Sequence, residues 1–160
     1  MVVVAIAGIM VAYALPEMKY LVISNRMKTL SLDVYTSLTM ARSESIKRNA
    51  SNVSVIANSG GWQNGWKVCV DANSNSACDS GEVVLVENEA VDSSLTVTGP
   101  GGNIVTYSRD GRVTSSALFK IVATSYPNSS KLPMRCIDVN ASGRPSTRAD
   151  TNATDSDGCN

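Results

Sequence analysis

Histidine is absent from all 160 residues, which removes the commonest general base, the usual proton shuttle and the most frequent transition-metal ligand. No nucleophile and base stand in a recognisable catalytic context, and there is no phosphate loop. The expectation is a protein that is not an enzyme, uses no cofactor and takes no small-molecule substrate. Net charge is lacking as well. Fourteen Lys and Arg balance fourteen Asp and Glu, so no whole-molecule field gathers nucleic acid or an anionic membrane surface, and any DNA contact must be local. The four cysteines, Cys69, Cys78, Cys136 and Cys159, lack the C-x-x-C spacing of zinc and thioredoxin-type sites and read better as two disulfides. Of the three pairings, Cys69 with Cys78 and Cys136 with Cys159 is favoured, because each bond then closes a short segment instead of crossing the molecule. Each contributes roughly 3 kcal/mol by restricting the unfolded chain. Such bonds persist in the periplasm or at the cell surface.

What is present begins with an apolar run. Met1 to Leu15 carries no charge, and Pro16 and Glu17 end it. Fifteen apolar residues are marginal for a bilayer, which needs about 20 in helical form. A cleaved secretory signal would carry a basic region ahead of the run, and none precedes it here. Beyond the proline, Ile23, Met27, Leu30, Val34, Leu38 and Ala41 recur at spacings of three and four, the stripe of an amphipathic helix. Polar Asn25, Lys28, Ser31, Asp33, Arg42 and Glu44 fill much of the remaining surface. One helix from Met1 to about Asn49 would extend for roughly 70 Å, far beyond the width of a small head. Its second half can pack on that head, while its first half must be buried in lipid or among neighbouring subunits. Pro16, without an N–H, is expected to bend or loosen the helix.

After Asn49 the texture changes to short β-type runs separated by glycine, asparagine and serine. Candidate strands are Val53 to Ala57, Gly65 to Val70, Val83 to Glu87, Leu95 to Thr98, Ile104 to Ser108, Leu118 to Ala123 and Met134 to Val139. A long helix followed by six or seven short strands predicts an α+β domain, with an antiparallel sheet covering the helix stripe. The expected division is a projecting apolar helix over 1–22 and a globular head over 23–160. The head comprises an amphipathic half-helix at 23–49, a β-rich region at 50–140 and a C-terminal segment at 141–160 tethered by Cys159.

MVVVAIAGIMVAYALP, followed by ARSESIKRN at Ala41 to Asn49, resembles the N-terminal half of the GspH/FimT family of type IV minor pilins and type II secretion pseudopilins. Apolar run, proline and the Arg42-Ser43-Glu44, Lys47-Arg48-Asn49 pattern come in the family's order. The resemblance implies the type IV pilin fold and a structural role in pilus assembly or at the filament tip. It also implies contact with other pilins through the N-terminal helix and residence in the inner membrane, head in the periplasm, before export to a surface pilus. Family members carry a leader and a Gly-Phe-Thr-Leu-Ile-Glu-type segment just before the apolar run. This sequence begins after where that would stand, and the expectation is a truncated start.

Trp62 and Trp66, followed by Cys69 to Glu82, look like the family's strand, acidic loop and strand hairpin. Read from its residues alone, the loop places Asp71, Asn73, Asn75, Asp79 and Glu82 at positions 1, 3, 5, 9 and 12 of an EF-hand-type calcium loop. Position 6 is Ser76 where glycine is needed, and the flanks read as strands. A polar hairpin tip whose Asx side chains cap their own backbone is therefore preferred over a metal site. The two tryptophans are assigned to packing rather than base stacking. Arg42, Lys47 and Arg48 are read as helix-end cations matching the helix dipole.

Ser142 to Arg148 is similar to the Gly-Arg-x-Arg element of DNA-binding family members, which makes Gly143, Arg144 and Arg148 candidate contacts to double-stranded DNA in natural transformation. In extended backbone Arg144, Ser146 and Arg148 share a face suited to phosphate. The second arginine comes two residues later than the element requires, and Asp150, Asp155 and Asp157 follow closely. An ordinary polar turn and edge strand is the slightly preferred reading of this stretch.

Overall fold

The computed structural model describes residues 2–49, 52–126, 132–151 and 159, with side chains in the long helix from residue 18 onward. Helix α1 spans Val2–Arg48. The predicted stripe is its buried face: Met27, Leu30, Val34, Leu38 and Ala41 are all in the core, and Ile23 packs partly against it. Ser31, Ser37 and Ser45 are also buried on this face, where small side chains let strands approach. The helix ends where Asn49 turns to φ +48 and its N–H donates to the Ile46 carbonyl at 3.1 Å. Asparagine tolerates that left-handed conformation, and Lys47 and Arg48 in the last turn match the negative end of the dipole.

Eight strands follow: β1 (Val53–Ala57), β2 (Trp66–Val70), β3 (Val83–Asn88), β4 (Leu95–Thr98), β5 (Ile104–Tyr107), β6 (Ala117–Ala123), β7 (Arg135–Val139) and β8 (Pro145–Ala149). The first seven agree with the sequence candidates to within a residue at each end, and β8 is the edge strand considered for the arginine segment. The expected antiparallel β head on the long helix is present, divided between two sheets. Two four-stranded antiparallel sheets form, ordered β3-β2-β1-β5 and β4-β6-β7-β8. The chain passes between the sheets three times, from β3 to β4, from β4 to β5 and from β5 to β6. Gly99-Pro100-Gly101-Gly102-Asn103 turns the second of these crossings, with Gly102 at φ +87 and Asn103 at φ +58. α1 packs across both sheets, touching β1, β2 and β5 of one and β6, β7 and β8 of the other.

Strand alternation points the apolar side chains at the helix. Along β6, Ala117, Phe119, Ile121 and Ala123 are buried while the residues between them are half-buried. Both tryptophans pack in the core as expected. Trp62 meets Phe119 edge to face, with centroids 4.7 Å apart. Trp66 donates its indole N–H to Ser37 Oγ at 2.9 Å, and Ser37 in turn donates to the Asp33 carbonyl at 2.8 Å. This chain ties helix to sheet through a fully used polar group. Among the described residues no helix is long and apolar enough to cross a membrane.

Candidate functional site

Both disulfides form as paired in the sequence reading, Cys69 with Cys78 and Cys136 with Cys159. The second places Cys159 against β7, where it is buried with Met134 and Cys136 beside Leu118 and Val122. It ties Cys159 to the face of the second sheet that looks away from α1.

The three candidate DNA contacts have different fates. In β8, Arg148 sits opposite Cys136 and Ser146 opposite Asp138. Arg148 makes an ion pair with Asp138 at 3.2 Å and donates to the Cys159 carbonyl, so its guanidinium clamps the tether beside the disulfide. Gly143 is buried at φ +74, and a Cβ there would lie 1.9 Å from the Gly111 carbonyl oxygen. Its role is close backbone packing between two turns. Arg144 alone is exposed and without an ion pair among the described residues.

That packing brings Arg144 to a turn for which the sequence reading made no claim. Ser108 to Arg112 closes with the Ser108 N–H donating to the Arg112 carbonyl at 2.8 Å, and Arg109 and Arg112 are exposed at its tip. Arg42 of α1 donates to the Gly111 carbonyl at 3.1 Å, fixing the turn to the end of the helix. Asp110 lies between the two arginines. The Ser108 hydroxyl bonded to its carboxylate holds it below the usual range, with a smaller contribution from Arg112. The available signal was the Asp110-Gly111 turn flanked by arginines, but only tertiary contact sets it beside Arg144. Lys47 and Arg48 are engaged by Glu44, at 3.4 and 2.6 Å.

The acidic loop is self-satisfied. Asp71, buried, accepts the N–H groups of Asn75 and Ser76 at 3.0 and 2.9 Å. Glu82 accepts those of Ala72 and Asp79, at 2.8 and 3.1 Å. Asp79 accepts the side-chain amides of Asn73 and Asn75, which hold its carboxyl below the usual range. Ser76 adopts φ +66 at the position where an EF-hand-type loop requires glycine, as Ser74 does at φ +60. In these contacts the carboxylates point at loop amides. The calcium-type set Asp71, Asn73, Asn75, Asp79 and Glu82 is thus held together by its own hydrogen bonds.

A further surface runs along α1. Met18, Leu21, Val22, Asn25, Thr29, Leu32, Thr36, Thr39, Met40 and Ser43 all lie within about 100° of one another around the helix axis and face away from the head. All ten are exposed and none is charged. Met18, Leu21 and Leu32 are about 60% exposed, far from what a solvated helix face would present.

A comparison with curated proteins finds no match. Among solved structures, the chain is similar to the type IV minor pilin FimU of Pseudomonas aeruginosa, in two crystal forms. The likeness has a TM-score of 0.59 at 16% identity over 81% of this chain and 92% of that one, and 0.58 at 16% over 76% and 91%. It is also similar to the minor pseudopilin EpsH from the type 2 secretion system of Vibrio cholerae, with a TM-score of 0.56 at 12% identity over 78% and 97%. At these identities the likeness is one of fold, the type IV pilin fold. The sequence profile of the type II transport protein GspH matches residues 32–143, the last third of α1 and most of the head. That match covers more than half of the sequence and agrees with the long helix, the β-rich head and the structural neighbours: the chain belongs to the GspH family of minor pilins and pseudopilins.

Proposed function

We propose that this chain is a minor subunit of a type IV pilus that helps to initiate or cap the filament. Residues 1–22 project from the head, residues 23–160, and pack among the helices of other pilins after residence in the inner membrane. The observation that carries this reading is the uncharged outward face of α1 from Met18 to Ser43. That face runs about 38 Å at 1.5 Å per residue, and its exposed Met18, Leu21, Val22, Leu32 and Met40 among uncharged Asn, Thr and Ser suit coverage by a neighbouring helix. The two disulfides and the arginine-bearing C-terminal segment favour the pilus over a secretion pseudopilus.

Deletion of the gene tests the assignment: loss of surface pili or twitching is expected. Normal piliation with loss of protein secretion would move the chain to the secretion filament. A sharper arm changes Leu32 and Met40 together to glutamate. Both are exposed, so the head keeps its stability to within about 0.5 kcal/mol per site, while incorporation into filaments is lost. A DNA-receptor role is the weaker reading, because Arg148 is engaged by Asp138 and the Cys159 carbonyl and only Arg144 of the motif is unengaged. Titration of duplex DNA against Arg144→Gln and Arg148→Gln variants tests it. Curves indistinguishable from wild type would dismiss both residues.

A further inference from the structure

Charge in the head is segregated along the chain although the total is zero. From Val68 to Ser108 there are six carboxylates, Asp71, Asp79, Glu82, Glu87, Glu89 and Asp92, and no lysine or arginine. From Arg109 to Arg148 there are seven lysines and arginines and two carboxylates, Asp110 and Asp138. The fold carries part of each set to one pole, the end of the head where α1 terminates. Just before β1, the Asn52 N–H donates to the Tyr107 carbonyl at 3.1 Å, and the Asn52 carbonyl accepts the Asp71 N–H at 2.9 Å. The acidic loop and the Ser108 to Arg112 turn therefore start on either side of residue 52. Gly143 against Gly111 adds Arg144 to that turn, and Arg42 joins the turn to the helix. In the strand order β3-β2-β1-β5, β1 lies between the loop and the turn, so the two charge clusters stand roughly 10–15 Å apart at strand spacings near 4.8 Å.

The basic cluster is unspent. Arg26, Arg48 and Arg148 each form an ion pair, whereas Arg109, Arg112 and Arg144 are exposed and form none among the described residues, Arg112 acting on Asp110 only through its field. We propose that this pole is a contact surface for a second copy of the chain, with Arg109, Arg112 and Arg144 of one copy seated on Asp79 and Glu82 of the other. Guanidinium groups match carboxylates in two-pronged hydrogen bonds. A two-fold arrangement pairs both clusters at once, because each copy supplies both halves, and Asp79 and Glu82, bonded to uncharged loop amides, keep acceptor capacity and an unpaired charge. A phosphate polymer fits less well: Asp110 stands between two of the three arginines, and the anionic loop lies one strand away from their turn. The contact goes beyond the subunit assignment and does not depend on which filament the protein joins. Exposed pairs of this kind give salt-sensitive association.

Sedimentation equilibrium of the full chain in detergent micelles tests it. The wild type is expected to dimerise, and the dimer to weaken about tenfold or more between about 50 mM and about 500 mM salt. An Arg112→Glu, Arg144→Glu variant is expected to weaken it by at least about tenfold at low salt. Neither side chain forms an ion pair or side-chain hydrogen bond among the described residues, so that arm is decisive even if changes to the loop disturb it. An Asp79→Lys, Glu82→Lys variant should also lose self-association but pair with the arginine-reversed variant when the two are mixed. Association through the apolar helix would follow neither salt nor these reversals. The proposal is overturned by a monomer at every concentration, by a dimer indifferent to the arginine reversal, or by a reversal that abolishes binding of a short DNA duplex and leaves the dimer intact.

Discussion

At Gly143 a single hydrogen atom decides how two turns meet. The residue stands at φ +74 with the Gly111 carbonyl where a Cβ would be, so any side chain must push the backbone apart. Gly143→Ala is expected to lower stability by about 1–3 kcal/mol in a thermal melt. The change should also move the chemical shifts of Gly111 and Arg112. A neighbour at the same junction predicts the opposite sign. The Tyr107 hydroxyl is buried with no hydrogen-bond partner among the described residues, and burial drives its pKa well above the usual tyrosine range. Tyr107→Phe removes an unsatisfied group while keeping the ring, and is expected to be neutral or to stabilise by about 1 kcal/mol. The sequence makes Gly143 look like half of a recognition motif. The structure makes it a spacer, since the carbonyl that excludes a side chain comes from a residue thirty-two positions earlier.

Among the elements, α1 and the strands were legible because periodicity is local. Spacing of three and four marked the buried face of the helix, and alternating apolar runs marked seven of eight strands. β8 was harder to recognise because Pro145, Ser146, Thr147 and Arg148 carry no apolar alternation, and only pairing with β7 holds them extended. The acidic loop illustrates a different limit. Its spacing matches a calcium loop, yet the carboxylates are directed by hydrogen bonds that spacing does not reveal. Asp79 has its folded-state pKa below the ordinary value of 3.8, mainly through the side-chain amides of Asn73 and then Asn75. A depressed carboxyl pKa stabilises the fold above the unfolded value, and that contribution disappears as pH falls through the folded value. The loop is therefore expected to keep its structure from neutral pH down to about 4 and to loosen below that. The side-chain amide signals of Asn73 and Asn75 in NMR spectra should report the loss. Asp79→Asn should remove this pH dependence.

For the whole molecule, the covalent frame and the long helix set the limits. The Cys136–Cys159 bond spans 23 residues and fixes the C-terminal segment, so changing both cysteines to serine is expected to lower stability by roughly 3 kcal/mol. It should also open the segment beyond β8 to proteolysis while β1 to β7 stay protected. Helix, strand positions, disulfide pairing and family could all be read from the sequence, because each depends on neighbours in the chain or on a pattern repeated along it. Tertiary structure decided the rest. It divided the strands between two sheets through three crossings, engaged Arg148 with Asp138 and the Cys159 carbonyl, and gathered Arg109, Arg112 and Arg144 at the end of α1. Those outcomes rest on contacts between residues far apart in sequence, whose pairing is set by strand register and close backbone packing once the chain has folded.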